Sequence, residues 1–261
     1  MSFYKLGREA FHYLWNKKHK PVLHIRTGDR VTFDVNEVTS WQMTEKSHKN
    51  DLVKIDEKKL YPLSGPVFVE GATSDDALSI SIERVRPASW GWSGIMPGLG
   101  LLPEFKKPHL QKWDLSRKDY SNFKQGIKVP LHPFCGVLGV APKEDGEFNV
   151  MPPGRHGGNM DIRHLTQGSR LILPIWNKGA LFSVGDLHGA QGDGEVCVTA
   201  IECPGEVTLK FDLLKGEKVT SPRYFTHSRE ERKYTREFVT TGISPDLMEA
   251  SREAVRNMIY H

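Results

Sequence analysis

The sequence predicts a mainly β protein with some α structure, and three observations carry that expectation. Twenty-four glycines and sixteen prolines are spread along all 261 residues, as many short elements joined by tight turns require. Apolar and polar residues alternate with a period of two in TGDRVTFDV (Thr27 to Val35), SDDALSISI (Ser74 to Ile82) and QGSRLILPI (Gln167 to Ile175). Only the C-terminal segment shows a clear helical period.

Further strands follow from the same pattern. Pro66 to Glu70 runs apolar up to Gly71, Ala180 to Val184 and Val196 to Ile201 flank a Gly/Asp-rich stretch, and Glu206 to Leu213 alternates again. Residues 87–128 are expected to be an irregular excursion, with GWSGIMPGLG breaking regular structure and Trp90, Trp92 and Trp113 packing it down. The helix is expected to start at Ser244 as N-cap, with Pro245 at the first helical position. Leu247, Met248, Ala250, Ala254, Val255, Met258 and Ile259 then form an apolar stripe opposite Arg252, Glu253 and Arg256. Three spans result: a β-rich part at 1–130 containing the excursion, a β-rich part at 131–220, and a C-terminal helical segment at 221–261.

Composition excludes several functions. Thirty-six basic and 32 acidic residues leave a scattered net charge of +4, without the basic stripe of a nucleic-acid binder. No apolar run approaches the roughly 18 residues that span a membrane, and the N-terminus lacks the apolar core of a secretory signal. Cys135, Cys197 and Cys203 have no CxxC spacing, which fits free thiols in a cytoplasmic protein. Cys135 lies near His132, but its apolar neighbours mark it as a buried, inert thiol.

The chemistry concentrates in two glycine-dense loops, Gly154 to Asp161 and Gly185 to Glu195. Glycines there permit positive φ and let backbone N–H groups approach a small ligand. Asp186 and His188 are two apart, so an extended segment presents both on one face as half of a divalent-metal site, and Asp161 is the natural third ligand. Taken singly, each of these is an ordinary turn residue; two such loops around one apolar strand pair point to a site. Glu195 follows the Asp193-Gly194 turn and is the candidate general base, with His156 and Asp193 as further catalytic candidates. Gly157, Gly158, Asn159 and Gln191 are the candidates for holding substrate, the two glycines through N–H groups aimed at a developing oxyanion. His164, before Leu165, reads as a structural histidine.

PPGRHGGNMDIRHL, GALFSVGDLHGAQGDGEV and HPFCGVLGVAP together resemble the acetamidase/formamidase family, and the likeness extends to SGPVFVEGA, TGDRVTFDVNEVTSWQ and GISPDLMEASREAVRNMI. The resemblance implies an α+β protein with a β-sandwich or barrel-like fold, a C-terminal helix in a segment shorter than its relatives', and a homo-oligomer in the cytoplasm. It implies release of ammonia from formamide or acetamide, and Asp161, Asp186, His188, Gln191 and Glu195 fall inside its motifs. A metal-activated water is the expected nucleophile, with zinc the first choice and calcium or manganese also suited to the donors. The competing expectation is a non-catalytic β module of the same family that binds a divalent ion or small ligand. Trp90 and Trp92 are expected to close a pocket sized for one- or two-carbon amides.

Overall fold

The computed structural model describes residues 1–117, 119–227 and 236–261. Alternation builds its larger sheet. Arg30–Val35 buries Val31, Phe33 and Val35, and Gly205–Leu214 buries Val207, Leu209 and Phe211, while the residues between them stay partly exposed. The two strands pair antiparallel with Val207 opposite Phe33, and the long strand Ala77–Pro87 lies on the other side of Gly205–Leu214. From edge to edge the order is Phe3–Leu6, Arg30–Val35, Gly205–Leu214, Ala77–Pro87, Arg170–Pro174, Arg223–Phe225 and Phe238–Thr240. Only the first pair is parallel. This one sheet draws strands from all three spans of the sequence, although residues 228–235 of the last span lie outside the described residues.

The second sheet runs Gly157–Asn159, Phe134–Gly139, Phe182–His188, Leu63–Val69 and Phe11–His12, with Leu23–Ile25 parallel to Leu63–Val69. Phe182 of this sheet meets Phe33 and Phe211 of the first, edge to face, with ring centroids 6.2 and 5.1 Å away. All three rings are fully buried. Each such side chain stabilises the fold by about 1.5–3 kcal/mol relative to exposure, so their contact joins the two sheets into a sandwich. Phe134–Gly139 and Phe182–His188 are buried at every position, as strands covered on both faces are.

Four local expectations give way to the structure. Residues 87–128 are irregular at length only over 96–108: Trp90–Ile95 pairs with His109–Asp114, and Tyr120–Lys124 with Ile127–Pro130. Gly98 does sit in a turn, at φ 82°, but Gly91 and Gly94 are close-approach points. A Cβ on Gly91 would lie 2.7 Å from the Glu202 carbonyl oxygen, and one on Gly94 would lie 3.1 Å from Leu52. Val196 to Ile201 forms no strand, because Gly189 to Ile201 instead loops out and returns to place Glu202 against Trp92 and His188 through isolated bridges. The strand expected over Ala180 to Val184 covers Phe182–His188, absorbing Gly185 to His188 of the presumed loop.

The helix spans Leu247–Ile259 and its N-cap is Asp246, not Ser244. The Asp246 carboxylate accepts the Glu249 N–H at 2.8 Å, and its charge also suits the positive end of the helix dipole. The expected stripe faces water at Leu247, Met248, Val255 and Ile259. The half-buried face is instead Ala250, Glu253, Ala254 and Asn257: Thr240 Oγ1 donates to the Ala254 carbonyl, Asn257 Nδ2 to that of Thr241, and Glu253 accepts from Arg155 and from the Ile243 N–H. No helix among the described residues is long and apolar enough to cross a membrane.

Candidate functional site

Strand Phe182–His188 ends beside strand Phe134–Gly139, and the site forms where they meet. Asp186 takes a left-handed backbone conformation, φ 56°. This breaks the period of two that the sequence implied, yet its Oδ1 still lies 3.3 Å from His188 Nε2. Glu202 Oε2 approaches the same nitrogen at 3.3 Å. Asp161 is turned into the cluster because its N–H and that of Met160 both donate to the Gly136 carbonyl, at 3.2 and 3.1 Å. Gly136 is the floor. A Cβ there would sit 2.5 Å from Asp161 Oδ1, 2.7 Å from Asp186 Oδ2 and 2.9 Å from His188 Cε1.

These side chains converge on a cation-sized gap. One ligand atom from each of Asp161, Asp186 and His188 lies within 4.8 Å of the others, and the same holds for His188, Glu195 and Glu202. Asp161 Oδ1, Asp186 Oδ1, His188 Nε2 and Glu202 Oε2 are all buried without an aligned hydrogen-bond partner. Apart from the 3.3 Å contacts of His188 Nε2 with Asp186 and Glu202, these buried atoms face one point without partners, an expensive arrangement for the protein alone and one that a divalent cation would relieve. Carboxylate oxygens with one imidazole nitrogen suit zinc, manganese or calcium.

The electrostatics record the same crowding. Burial, then the charge of Asp161 and Glu202, pushes Glu195 up to about 9. Burial and the neighbouring Asp186 raise Asp161 to about 6, and burial raises Glu202 to about 7. Burial alone would lower His188, but the carboxylates of Glu202 and Asp186 outweigh it and hold the ring well above its ordinary range.

The cluster opens into a cleft of about 580 Å³ whose polar end holds Asn159, Asp161, Asp186, Glu195 and Glu202. Five of the nine non-glycine residues with positive φ among the described residues line it: Tyr61, Asp161, Asp186, Glu195 and Val198. Such backbone strain costs of order 1–3 kcal/mol per residue and gathers at functional sites.

The structure therefore joins Asp161, Asp186, His188 and Glu195, and it places the other candidates differently. His156 packs its ring edge-on against Trp15, centroids 5.1 Å apart, and burial lowers it to about 4; it does not line the cleft. Asp193 is 81% exposed and pairs with Arg163 at 2.6 Å. Gly157 offers no free donor, since its N–H bonds the Gly154 carbonyl at 2.9 Å, and Gly158 is paired with Leu138 in the sheet. Gln191 stands behind His188: its Oε1 accepts from Nδ1 at 3.0 Å while its Nε2 donates to the Asp161 carbonyl. It fixes the tautomer that leaves Nε2 free for a cation. Asn159 does line the cleft, with Oδ1 unpartnered and Nδ2 donating to the Met151 carbonyl. Cys135 is buried and burial raises its thiol to about 12, so it is no nucleophile.

Three residues were missed. Glu202 sits in the apolar run Thr199-Ala200-Ile201-Glu202-Cys203, and a lone carboxylate in such a run was the available signal. Glu37 is fully buried and accepts from Trp92 Nε1 at 3.0 Å, from the Thr39 hydroxyl and from the Thr39 and Trp41 N–H groups, so it fixes the indole that walls the cleft. Tyr61, at φ 56°, lines the cleft; burial, then Asp186 and Glu202, raise its phenol far above the ordinary value. Nothing local in KKLYPL announces it.

Comparison with known proteins adds one family. The model of the Acetamidase/Formamidase family matches residues 5–148 and 145–261. An acetamidase of Mycolicibacterium smegmatis is 28% identical over 91% of this chain and 75% of its own length. A putative formamidase of Schizosaccharomyces pombe is 30% identical over 74% of this chain, which spans 61% of that protein. The crystal structure of a predicted acetamidase/formamidase from Thermoanaerobacter tengcongensis superposes with a TM-score of 0.88 at 29% identity, covering 100% of this chain and 83% of that one.

Proposed function

This chain belongs to the acetamidase/formamidase family, and on that premise we propose that its buried carboxylate–histidine cluster hydrolyses primary amides, formamide and acetamide among them, with release of ammonia. The observation that supports the cluster as the centre is the set of four orphaned buried atoms on Asp161, Asp186, His188 and Glu202. These four residues would hold a divalent cation, zinc being the first choice. Such a cation supplies Lewis-acid polarisation of a carbonyl and acidifies water.

The chain's own groups supply the proton movements and the positioning. Glu195 stands at the cleft face of the cluster, held protonated by burial and the neighbouring acids; with the charge of those acids offset by a bound cation, its carboxylate would take a proton from the attacking water and pass it to the departing nitrogen. The water oxygen forms the new bond to carbon, the C–N bond breaks, and nitrogen leaves as ammonia with the carboxylic acid as coproduct. The Tyr61 phenol, held in its protonated form, donates to the carbonyl oxygen as charge develops there. Asn159 Oδ1 accepts from the substrate amide N–H. Location in the cytoplasm and assembly as a homo-oligomer belong to the same proposal, supported by three free thiols and by the exposed apolar face of the C-terminal helix.

Purified protein assayed for ammonia with acetamide, alongside elemental analysis, tests the proposal. Turnover is expected to depend on about one tightly held divalent metal per chain, an order-of-magnitude stoichiometry from a single donor set. Bound metal without ammonia from any amide would show a binding module instead. Tyr61→Phe is expected to lower kcat by about 10²–10³, the loss typical of one oxyanion donor, with metal content unchanged.

A further inference from the structure

From the cleft beyond the metal-ligating end we infer that the preferred substrates are primary amides with a neutral apolar acyl group larger than acetyl, held in a built apolar subsite. The inference rests on the amidase proposal and deepens it. Formamide and acetamide have only a few non-hydrogen atoms, whereas a cleft of about 580 Å³ falls in the range of roughly 300–1,000 Å³ typical of sites for much larger ligands.

The lining is divided by chemistry. Asp161, Asp186, Glu195 and Glu202 belong to the cluster, and most of the remaining lining is apolar, with Leu52, Ile55, Met96, Pro97, Leu99 and Val198 outnumbering Thr39, Glu57 and Thr199. Among the described residues no basic side chain lines the cleft, so a carboxylate on the substrate would meet five acids, Glu57 included, and no cationic partner. A neutral tail meets mostly hydrocarbon.

The apolar end is also built rather than incidental. Its floor is Leu52, buried with Trp92, Met43 and Val38 in a small core of its own. Its rim leaves apolar surface in water, with Val53 61% and Leu99 48% exposed. The rim is tied down, because the Leu101 N–H donates to the Val196 carbonyl at 2.9 Å beside Val198. Exposed apolar side chains gathered around a concave site are surface that an apolar ligand covers. The small pocket expected from Trp90 and Trp92 is not formed: Trp92 walls the cleft, but Trp90 packs at a tilt near Trp41 outside it, with ring centroids 6.5 Å apart.

The test compares kcat/KM for ammonia release from acetamide, hexanamide and benzamide with metal-replete protein. Transfer of each added methylene into apolar surroundings is worth about fourfold, so hexanamide is expected to exceed acetamide by at least about tenfold. Val53→Asp is expected to cut the hexanamide-to-acetamide ratio several-fold. A ratio at or below one in the unaltered protein overturns the inference while leaving the amidase proposal standing. If no amide is turned over, titration of Trp fluorescence decides: hexanamide binding much tighter than acetamide supports the apolar subsite and sinks the hydrolase proposal, and equal binding overturns the inference.

Discussion

A methyl group on Gly136 would collide with three side chains of the cluster at once, at 2.5, 2.7 and 2.9 Å. The two carboxylate oxygens could yield only by turning out of the cluster, which would undo the ligand set. Asp161 and Asp186 hold left-handed φ values, and His188 is pinned by Gln191. Gly136→Ala is therefore expected to abolish tight metal uptake, read by elemental analysis, while overpacking costs the fold only about 1–3 kcal/mol. Retained metal in that variant would show that the cation is held elsewhere. Gln191 acts through other groups, positioning the His188 ring and the Asp161 backbone together. Gln191→Leu is expected to weaken metal affinity about 10–100-fold, the usual cost of removing such a support, with the fold intact by circular dichroism. At this scale the sequence was informative where local chemistry is dense, as in Gly185-Asp186-Leu187-His188. It was faint for Glu202, a lone carboxylate in an apolar run, and silent for Tyr61, which long-range folding brings to the cleft from a segment that shares no motif with it.

At the scale of elements, period-two alternation located the strands Arg30–Val35 and Gly205–Leu214 because each has one face on the core, and it also located Ala77–Pro87 and Arg170–Pro174, whose consecutive buried positions are covered on both faces. The hairpin Trp90–Ile95 with His109–Asp114 was not legible, because its glycines serve close packing against Glu202 and Leu52, and that demand is invisible until the partner is in place. Asp186 shows the converse. Its spacing from His188 was right for the wrong reason, since a left-handed residue and not an extended one brings the two together. The helix start was misread by two residues because a serine and a proline outweighed the acid that follows them. Asp246→Ala is expected to cost the helix about 1 kcal/mol, seen as faster hydrogen exchange at residues 247–250, with ammonia release unaltered. Ser244→Ala is expected to change that exchange less, because Ser244 Oγ meets only the Asp246 N–H, at 3.2 Å.

At the scale of the whole molecule, two histidines outside the cleft contribute a pH dependence of their own. Burial, then the nearby His19, lowers His12 to about 4, and burial lowers His156 to about 4. Both folded-state values lie below the ordinary 6.5. The unfolded chain therefore takes up these protons first as pH falls, so the histidines' contribution to stability is full above about pH 6.5, declines through the interval, and levels off below about pH 4. His156 offers the cleaner test, since its Nε2 is buried without a partner and its ring only packs against Trp15. His156→Phe keeps an aromatic ring there and removes the titration. The carboxylates of the cleft titrate alike in both proteins, so the difference between their urea midpoints isolates the histidine. That difference is expected to be small at pH 7 and to favour the variant by about 2 kcal/mol at pH 5, the value the two pKa positions imply. Ammonia release by His156→Phe at pH 7 is expected to match the unaltered protein. A collapse of kcat there would return His156 to the chemistry, and a pH-independent stability difference would show that its proton is bound equally in the folded and unfolded chains.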